Sequence, residues 1–529
     1  MKINIPLIIA VTGHRDIIKD DEKKLRAKVR EFFNELKQNN PHTPLILLSG
    51  LAEGADMLTA EEALKLGVEL IAILPYEKKR YLQSFDDKNE IERFNKLLSQ
   101  AKEVKVLEKT NEGAYVELAK YLAKHSNILL ALWDGDRSNI KPGGTADVVQ
   151  RKERGYEVEN KLDINEEDKI VHIVTPRESN KYVKEPYTIK NIFIGRINQE
   201  DYNQILHHID NLNKFLGKED TQKILEERKV SQDASLLSKL RAIFSHRANR
   251  FQKEYYTYSV RMLLFAFFAV VTMEIVHNFG AKNSVVEFGF IMLYFILIIA
   301  IFGFYYLKLK DANLKNHFVH SRGLSEALRV QKFWFHLDKE PQRAGDYYLL
   351  GENNELVWLR AVLKNIYFLQ TLRNLIPIDF DYVEKAWIDD QRSYFKKQIK
   401  NRKSRLEQLE LAEKILYLMG AAFTLLLFVD YAMHLFEHLN HTILFAAGIS
   451  FAAAAFIGEK YLPMTGLEEE IHNFKLMKYN FEVAKEKLSK LTNKSKKKEI
   501  LYDLGEKALQ ENSRWLVYHS KYNIKPMVE

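Results

Sequence analysis

The 529-residue chain contains no cysteine. That absence excludes disulfides, thiolate metal sites and a cysteine nucleophile, and it suits a protein whose bulk lies in a reducing compartment. Strong charge of one sign is missing too. The 79 Lys+Arg against 71 Asp+Glu leave a formal +8, modest for this length, so composition gives no case for specific nucleic-acid binding. Long apolar runs are few, and the mean hydropathy of −0.30 is that of a soluble protein. The average hides their concentration in four blocks. A secretory leader is not read either. The opening MKINIPLIIAVTGHRD is apolar only briefly, lacks a small-residue cleavage site and runs straight into a glycine motif. It reads as a buried first strand.

What is present begins with alternation. Continuous apolar runs at Leu7–Thr12, Leu45–Ser49, Glu69–Leu74, Val104–Leu107, Ile128–Trp133, Ile170–Thr175 and Ile192–Ile194 are separated by helix-period stretches such as Asp21–Lys37, Gly54–Leu66, Ile91–Ala101 and Glu112–Ala123. Runs buried on both faces, with helices between them, predict a Rossmann-like doubly wound α/β domain around a parallel sheet. Ligands of such folds sit at the carboxyl ends of the strands. The charged stretch Gln150–Lys169 is expected to be a surface loop within this domain.

The second half carries the apolar blocks. Phe288–Leu307 has no charge and matches the roughly 20 residues that cross a bilayer. Thr442–Gly458 is shorter and Ala-rich; Met262–Val276 contains Glu274, and Ile415–Met433 contains Asp430. Two hairpins with short tips at Phe279–Ser284 and Leu435–His441 follow, giving an all-α membrane region of four spans. Basic residues flank them: Arg247, Arg250, Lys253, Arg261, Lys308, Lys310, the cluster Lys396, Lys397, Lys400, Arg402, Lys403 and Arg405, Lys460, and Lys494 to Lys498; the first tip adds only Lys282. The positive-inside rule then places both termini in the cytoplasm, and the basic runs meet anionic lipid. The expected segments are an α/β domain (1–199), a helical connector (200–256), a first hairpin with its cytoplasmic helix (257–345), a cytoplasmic helical region (346–412), and a second hairpin with the C-terminal helices (413–529). The halves read as a diverged repeat: Glu274 with His277 and Asp430 with His434 close each first span, and an amphipathic helix follows each second span, at Leu324–Leu337 and Leu467–Leu488. Glu274 and Asp430 either line a cation path or reach headgroup level near the outer interface.

Three glycine motifs fall where strands end: Thr12-Gly13-His14-Arg15-Asp16, then Ser49-Gly50-Leu51-Ala52-Glu53-Gly54-Ala55-Asp56, then Pro142-Gly143-Gly144-Thr145 shortly after Trp133-Asp134-Gly135. Glycine permits close backbone approach, and a helix N-terminus offers free N–H groups to phosphate. Thr12, Ser49 and Thr145 add hydroxyls, Arg15 can fork onto a phosphate, and Asp56 or Asp134 can accept from ribose. Singly, each loop is also an ordinary tight turn, Asp16 a helix cap and Glu53 a first-turn charge. Their convergence on one sheet edge is what makes a nucleotide site.

The set VTGHRD, LSGLAEGAD, LLALWDG and PGGTADVV resembles the SLOG superfamily, which includes the lonely-guy phosphoribohydrolases and the DNA-processing protein DprA. The resemblance covers about the first 195 residues and implies a nucleotide pocket lined by Gly13, Ser49, Gly50, Gly54, Gly143, Gly144 and Thr145. The hydrolase branch carries PGGxGTxxE. The matching positions here are Ala146, Asp147 and Gln150, and a glutamine cannot act as acid or base. The reading therefore leans to binding without turnover, names no catalytic residue, and keeps a membrane-tethered nucleotide- or NAD-processing hydrolase, with Glu53 as substitute, as the alternative. A scaffold that binds a protein partner is the third class.

The second half is similar to the SLATT family of two-helix transmembrane effectors, through LSEALRVQKFW and the tail GEKALQENSRWLVYHSKYNIKP at 505–526. This implies an oligomeric pore or membrane-disrupting effector in a bacterial inner membrane. Its trigger would be a nucleotide second messenger of antiphage defence, such as a cyclic ADP-ribose isomer or a cyclic oligonucleotide. Four spans are too few to enclose a wide pore, so a homo-oligomer is expected. No resident cofactor and no metal are called for.

Overall fold

The structure is a computed structural model that describes residues 3–85, 87–107, 113–138, 140–154, 167–218, 220–279, 284–310, 313–348, 356–373, 378–433 and 441–521. Lys282, His434, the side chain of His277, most of the charged stretch after Gln150 and the last residues of the 505–526 motif lie outside the described residues. The strands are β1 (Leu7–Gly13), β2 (Leu45–Ser49), β3 (Glu69–Leu74), β4 (Glu103–Val106), β5 (Ile128–Trp133), β6 (Lys169–Val174) and β7 (Ile189–Phe193). The helices begin with α1 (Glu22–Asn39), α2 (Ala55–Lys65), the single turn α3 (Lys78–Tyr81), α4 (Lys88–Gln100), α5 (Ala114–His125), α6 (Thr145–Glu153), α7 (Gln199–Lys218) and α8 (Thr221–Glu227). They continue as α9 (Leu236–Phe279), α10 (Ser284–Gly303), α11 (Leu314–Phe335), α12 (Trp358–Thr371), the turn α13 (Phe380–Val383), α14 (Asp390–Met433), α15 (His441–Thr465), α16 (Leu467–Lys490) and α17 (Lys494–Lys521).

Contacts divide the chain into two compact units, Met1–Ala242 with Lys339–Ile376, and Ile243–Asp338 with Pro377–Glu529. These cuts differ from the segments read in the sequence: part of the connector and much of 346–412 belong with the α/β unit.

The first unit is built on one sheet of order β4-β3-β2-β1-β5-β6-β7. Successive residues of β1 point to opposite faces, so Leu7, Ile9 and Val11 enter one core while Ile8 and Ala10 enter the other. The first face is covered by Leu25, Val29, Phe32 and Phe33 of α1 together with α2 and α4. The second is covered by Ala119 and Leu122 of α5, Val148 and Val149 of α6, and Phe368 of α12. Neighbouring strands are parallel except β6 and β7, which pair antiparallel. The all-parallel expectation fails there because the link 175–188 holds no helix, and a parallel return normally needs a helical crossover. From β1 the chain steps outward to β4, then crosses back to β5 on the other side of β1. The winding therefore reverses between β1 and β5, where doubly wound folds open a crevice.

The second unit is helical. Its two long helices α9 and α14 are each 44 residues, and each is followed by an apolar helix and then by an amphipathic one. Both amphipathic helices, α11 and α16, start directly after a left-handed residue, Asn313 at φ +47 and Gly466 at φ +62. Matching lengths and caps agree with the repeat pattern. Among the described residues, three helical stretches are long and apolar enough to cross a membrane: Leu236–Glu274, Glu287–Lys308 and Phe380–Met433. The fourth apolar helix, Leu444–Glu459, is shorter, so four spans exceed what length and hydropathy alone support. Glu459 closes that stretch.

α14 and α15 cross at small residues. A Cβ on Gly420 would lie 3.3 Å from the carbonyl oxygen of Gly448, and Phe423 stacks on Phe451 at 5.5 Å. Asp430 is buried here, 2.5 Å from Nε2 of His441. His441, on the following helix, therefore holds the acid. Tyr417 donates to Glu459 at 2.9 Å. Elsewhere in this unit Trp334 of α11 is fully buried against Gly505 of α17, where a Cβ would approach its indole nitrogen to 2.4 Å.

A candidate ligand cleft at the strand ends

The carboxyl ends of β1 and β5 open into a cleft of about 560 Å³. Its walls come from the end of β1 and the loop after it (Thr12, Gly13, His14, Arg15, Asp16), the loop before α2 and its first turn (Ala52, Asp56), and the end of β5 with the loop leading into the first turn of α6 (Trp133, Asp134, Asp136, Lys141, Gly143, Gly144, Thr145, Ala146). Tyr81, Tyr115, Leu118, Ala119, Leu122, Val148, Arg177 and Ser179 complete them. Thr12, Gly13, His14, Arg15, Asp56, Asp134, Gly143, Gly144 and Thr145 are thus brought together as the sequence suggested. Ser49, Gly50, Glu53 and Gly54 are not among the lining residues. Ser49 is fully buried and its Oγ accepts the Leu51 N–H at 3.0 Å, shaping the loop. Glu53 sits beside the cleft, close enough for its charge to act on Arg15.

The glycines face protein rather than open space. A Cβ on Gly13 would lie 2.4 Å from Cβ of Ala55 and 2.9 Å from the carbonyl oxygen of Leu132. Gly54, at φ +80, would put one 2.4 Å from the carbonyl oxygen of Arg15, and Gly143, at φ +76, one 2.5 Å from Cβ of Tyr115. Their smallness lets the three loops close on one another. The helix N-termini are likewise partly engaged. The Ala55 N–H donates to the carbonyl of His14 at 3.0 Å, and the Gly143 N–H donates to Asp147 at 2.8 Å. Asp147 in turn pairs with Arg151 at 3.0 Å. The first-turn N–H groups of Thr145 and Ala146 still lack a helical carbonyl, and the N-cap Gly144 offers no side chain to them. Thr145 donates its hydroxyl to the carbonyl of Gly13 at 2.9 Å, tying α6 to β1.

Polar groups on the walls are ordered by one another. The main-chain N–H of Asp134 donates to Nε2 of His14 at 3.0 Å. Burial lowers the pKa of His14 against the pull of Asp134, whose carboxylate lies 3.1 Å from the same ring nitrogen. Asp134 accepts from Arg177 at 2.9 Å, from Asn180 at 3.0 Å and from the Asp136 N–H at 3.1 Å. Burial would raise this carboxyl, but those donors and His14 hold it at about 2. Asp16 accepts from the Ser179 hydroxyl at 2.6 Å, which is its role in place of a helix cap. Arg177 and Ser179 follow β6, and the signal for them was another loop after a strand, Thr175-Pro176-Arg177, that lacks glycine.

Asp56 differs from Asp134. It is 7% exposed, and burial pushes its carboxyl up to about 7 despite Arg15 and the N–H groups of Ala52 and Gly13. Beneath it Tyr81 donates to the carbonyl of Gly50 at 2.9 Å. The indole N–H of Trp133 is buried without a hydrogen-bond partner among the described residues, whereas buried donors are normally paired. Among the described residues no cluster of His, Asp and Glu has the makings of a metal site. The cleft thus offers aromatic side chains, two rim cations (Arg15 and Lys141) beside Arg177, which is held by Asp134, and a carboxyl poised near neutrality.

No protein-family model matches the chain, and no characterised protein sequence matches it.

Proposed function

We propose that this chain is a membrane effector whose α/β unit senses a nucleotide-derived messenger and whose apolar helices, in a homo-oligomer, form or open a pore. The observation that carries the reading is one chain joining a strand-end cleft at the reversal of a doubly wound sheet to helices long and apolar enough to cross a bilayer. Two rim cations and the first turn of α6 suit a ligand with few phosphates, and Tyr115 and Trp133 suit a base. The SLOG- and SLATT-like motifs point the same way, to a bacterial inner membrane and antiphage defence. In this reading Leu444–Glu459 completes a fourth span together with the rest of α15.

One observation favours a second reading. Asp56, titrating near neutrality inside the cleft, is suited to proton transfer where Gln150 is not, so a membrane-tethered nucleotide hydrolase is the rival.

Dye leakage from liposomes carrying the full chain separates them. Cyclic ADP-ribose isomers, cyclic oligonucleotides and NAD are added in turn, and each is chromatographed afterwards. The sensor reading expects leakage with one messenger, recovered intact. Arg15→Ala, which removes an exposed rim cation, should raise the concentration required by about 10- to 100-fold, the worth of a charged hydrogen bond. Sealed liposomes with a consumed nucleotide would leave the hydrolase.

A further inference from the structure

Two helices that wall the cleft end, at their other extremity, on a single buried charge cluster. α5 contributes Tyr115, Leu118 and Leu122 to the cleft. At its C-terminal end the carbonyls of Ala123 and Ser126 accept from Nζ of Lys152 at 2.9 and 2.6 Å, and Ser126 also accepts from Nζ of Lys364 at 2.7 Å. α6 contributes Thr145 and Ala146 to the cleft, and its last turn carries that same Lys152, paired with Asp168. Lys364, on α12, reaches the same oxygen of Asp168 at 2.8 Å. Lys152, Asp168 and Lys364 are 3%, 3% and 6% exposed. Two ammonium groups share one carboxylate oxygen, and the carbonyls at the C-terminal end of α5, the negative end of its dipole, accept from both lysines. Around the cluster α12 is held by Asn365, which donates to the carbonyl of Pro6 at 2.8 Å, and by Tyr367, which stacks on His125; in the segment before α12, Arg343 donates to the carbonyl of Lys124 at 3.2 Å.

We infer that α5, α6 and the Lys152–Asp168–Lys364 cluster form a relay that sets the position of α12 according to whether the cleft is filled. A packed helix moves as a unit, and ion pairs in a low-dielectric site depend steeply on distance. A shift at the cleft end of α5 or α6 therefore reaches the cluster. α12 is the anchored middle of Lys339–Ile376, whose chain runs on at both ends into the helical unit. A change in its seating is passed in both directions along the chain. The inference rests on the cleft being where a ligand acts, and not on which ligand it is.

The test fills the cleft without any nucleotide. The chain has no cysteine, so Ala146→Cys in the full-length protein gives one attachment point for N-ethylmaleimide, with Ala52→Cys as a second. Hydrogen exchange is read over 358–371 before and after labelling. The relay expects exchange in α12 to change by at least about fivefold, the low end of measured couplings between sites. It also expects the change to vanish when Lys364→Met is added. That variant keeps the neutral Lys152–Asp168 pair and is expected to fold; Asp168→Asn is the alternative break. Labelled protein whose α12 exchange stays the same, or changes equally with and without Lys364→Met, overturns the relay. Neither result depends on the nucleotide reading, which the leakage experiment addresses separately.

Discussion

At Asp56 two demands meet, a place inside the core and a place on the wall of the cleft. Its neutral form is the one the fold favours, since burial outweighs the nearby Arg15. A carboxyl raised in the folded state contributes stability that is full below its ordinary range near 4 and is lost as pH rises through about 7. The α/β unit should therefore weaken by roughly 2–4 kcal/mol between pH 4 and 8 through this group. Urea denaturation of the wild type and of Asp56→Asn across that range checks it, because the slope should flatten in the variant. Parallel slopes would show that Asp56 ionises at its ordinary pH. The residue scale is also where the sequence was least informative. The motifs named loops that meet at one cleft, yet Gly13, Gly54 and Gly143 are glycines because Ala55, the Arg15 carbonyl and Tyr115 stand against them, and no pattern in a sequence reveals what a missing side chain would strike.

Among the elements, those with a strong local signal were legible. β1, β2, β3 and β5 are continuous apolar runs, and they are strands because both faces of the sheet are covered. α1 showed its period through Leu25, Val29, Phe32 and Leu36. Lys141 directly precedes the Pro142-Gly143 motif and Arg177 follows a strand whose loop lacks glycine, whereas Tyr81 and Tyr115 are brought to the cleft by chain winding rather than by a local pattern. The same holds for α12, whose sequence reads as one more amphipathic helix. Nothing local in it tells that Phe368 is fully buried in the second core of the sheet, against Tyr121 and His125 of α5. Phe368→Ala should cost about 3–5 kcal/mol, and the loss should appear in the α/β unit. Limited proteolysis locates it: cleavage within 3–242 should accelerate. Acceleration confined to the helical unit would contradict the packing.

For the whole molecule, the two halves of the helical unit repeat a plan and depart from it in detail. α14 and α15 approach closely at Gly420 and Gly448 and pair Asp430 with His441. α10 leaves Phe288, Phe295, Ile296 and Ile299 exposed, and α14 likewise leaves Leu418, Leu425 and Phe428 exposed, which suits lipid around both. Division of labour between chain and fold is sharper still in the first unit, which is discontinuous. A fragment ending at Ala242 lacks Phe368 and Lys364, leaving Asp168 one lysine short and an apolar face bare. Fusing 339–376 to it through a flexible linker should raise its melting temperature by several degrees, as about 1 kcal/mol shifts a domain of this size by roughly 2–4 °C. Equal melting of the two fragments would show that the segment is dispensable to the sheet.

That discontinuity also sets an order of events at the ribosome. The last piece of the α/β unit emerges 134 residues after Ala242 (376 minus 242), roughly 7–27 s later at about 5–20 residues per second. In that interval both apolar helices of the first pair, α9 and α10, have already left the ribosome. The sheet therefore cannot seal its second face until the first apolar pair has been made. Under the function proposed above, the ligand-sensing unit would mature only after its effector helices had begun to insert, and would have no period of free existence in which to respond.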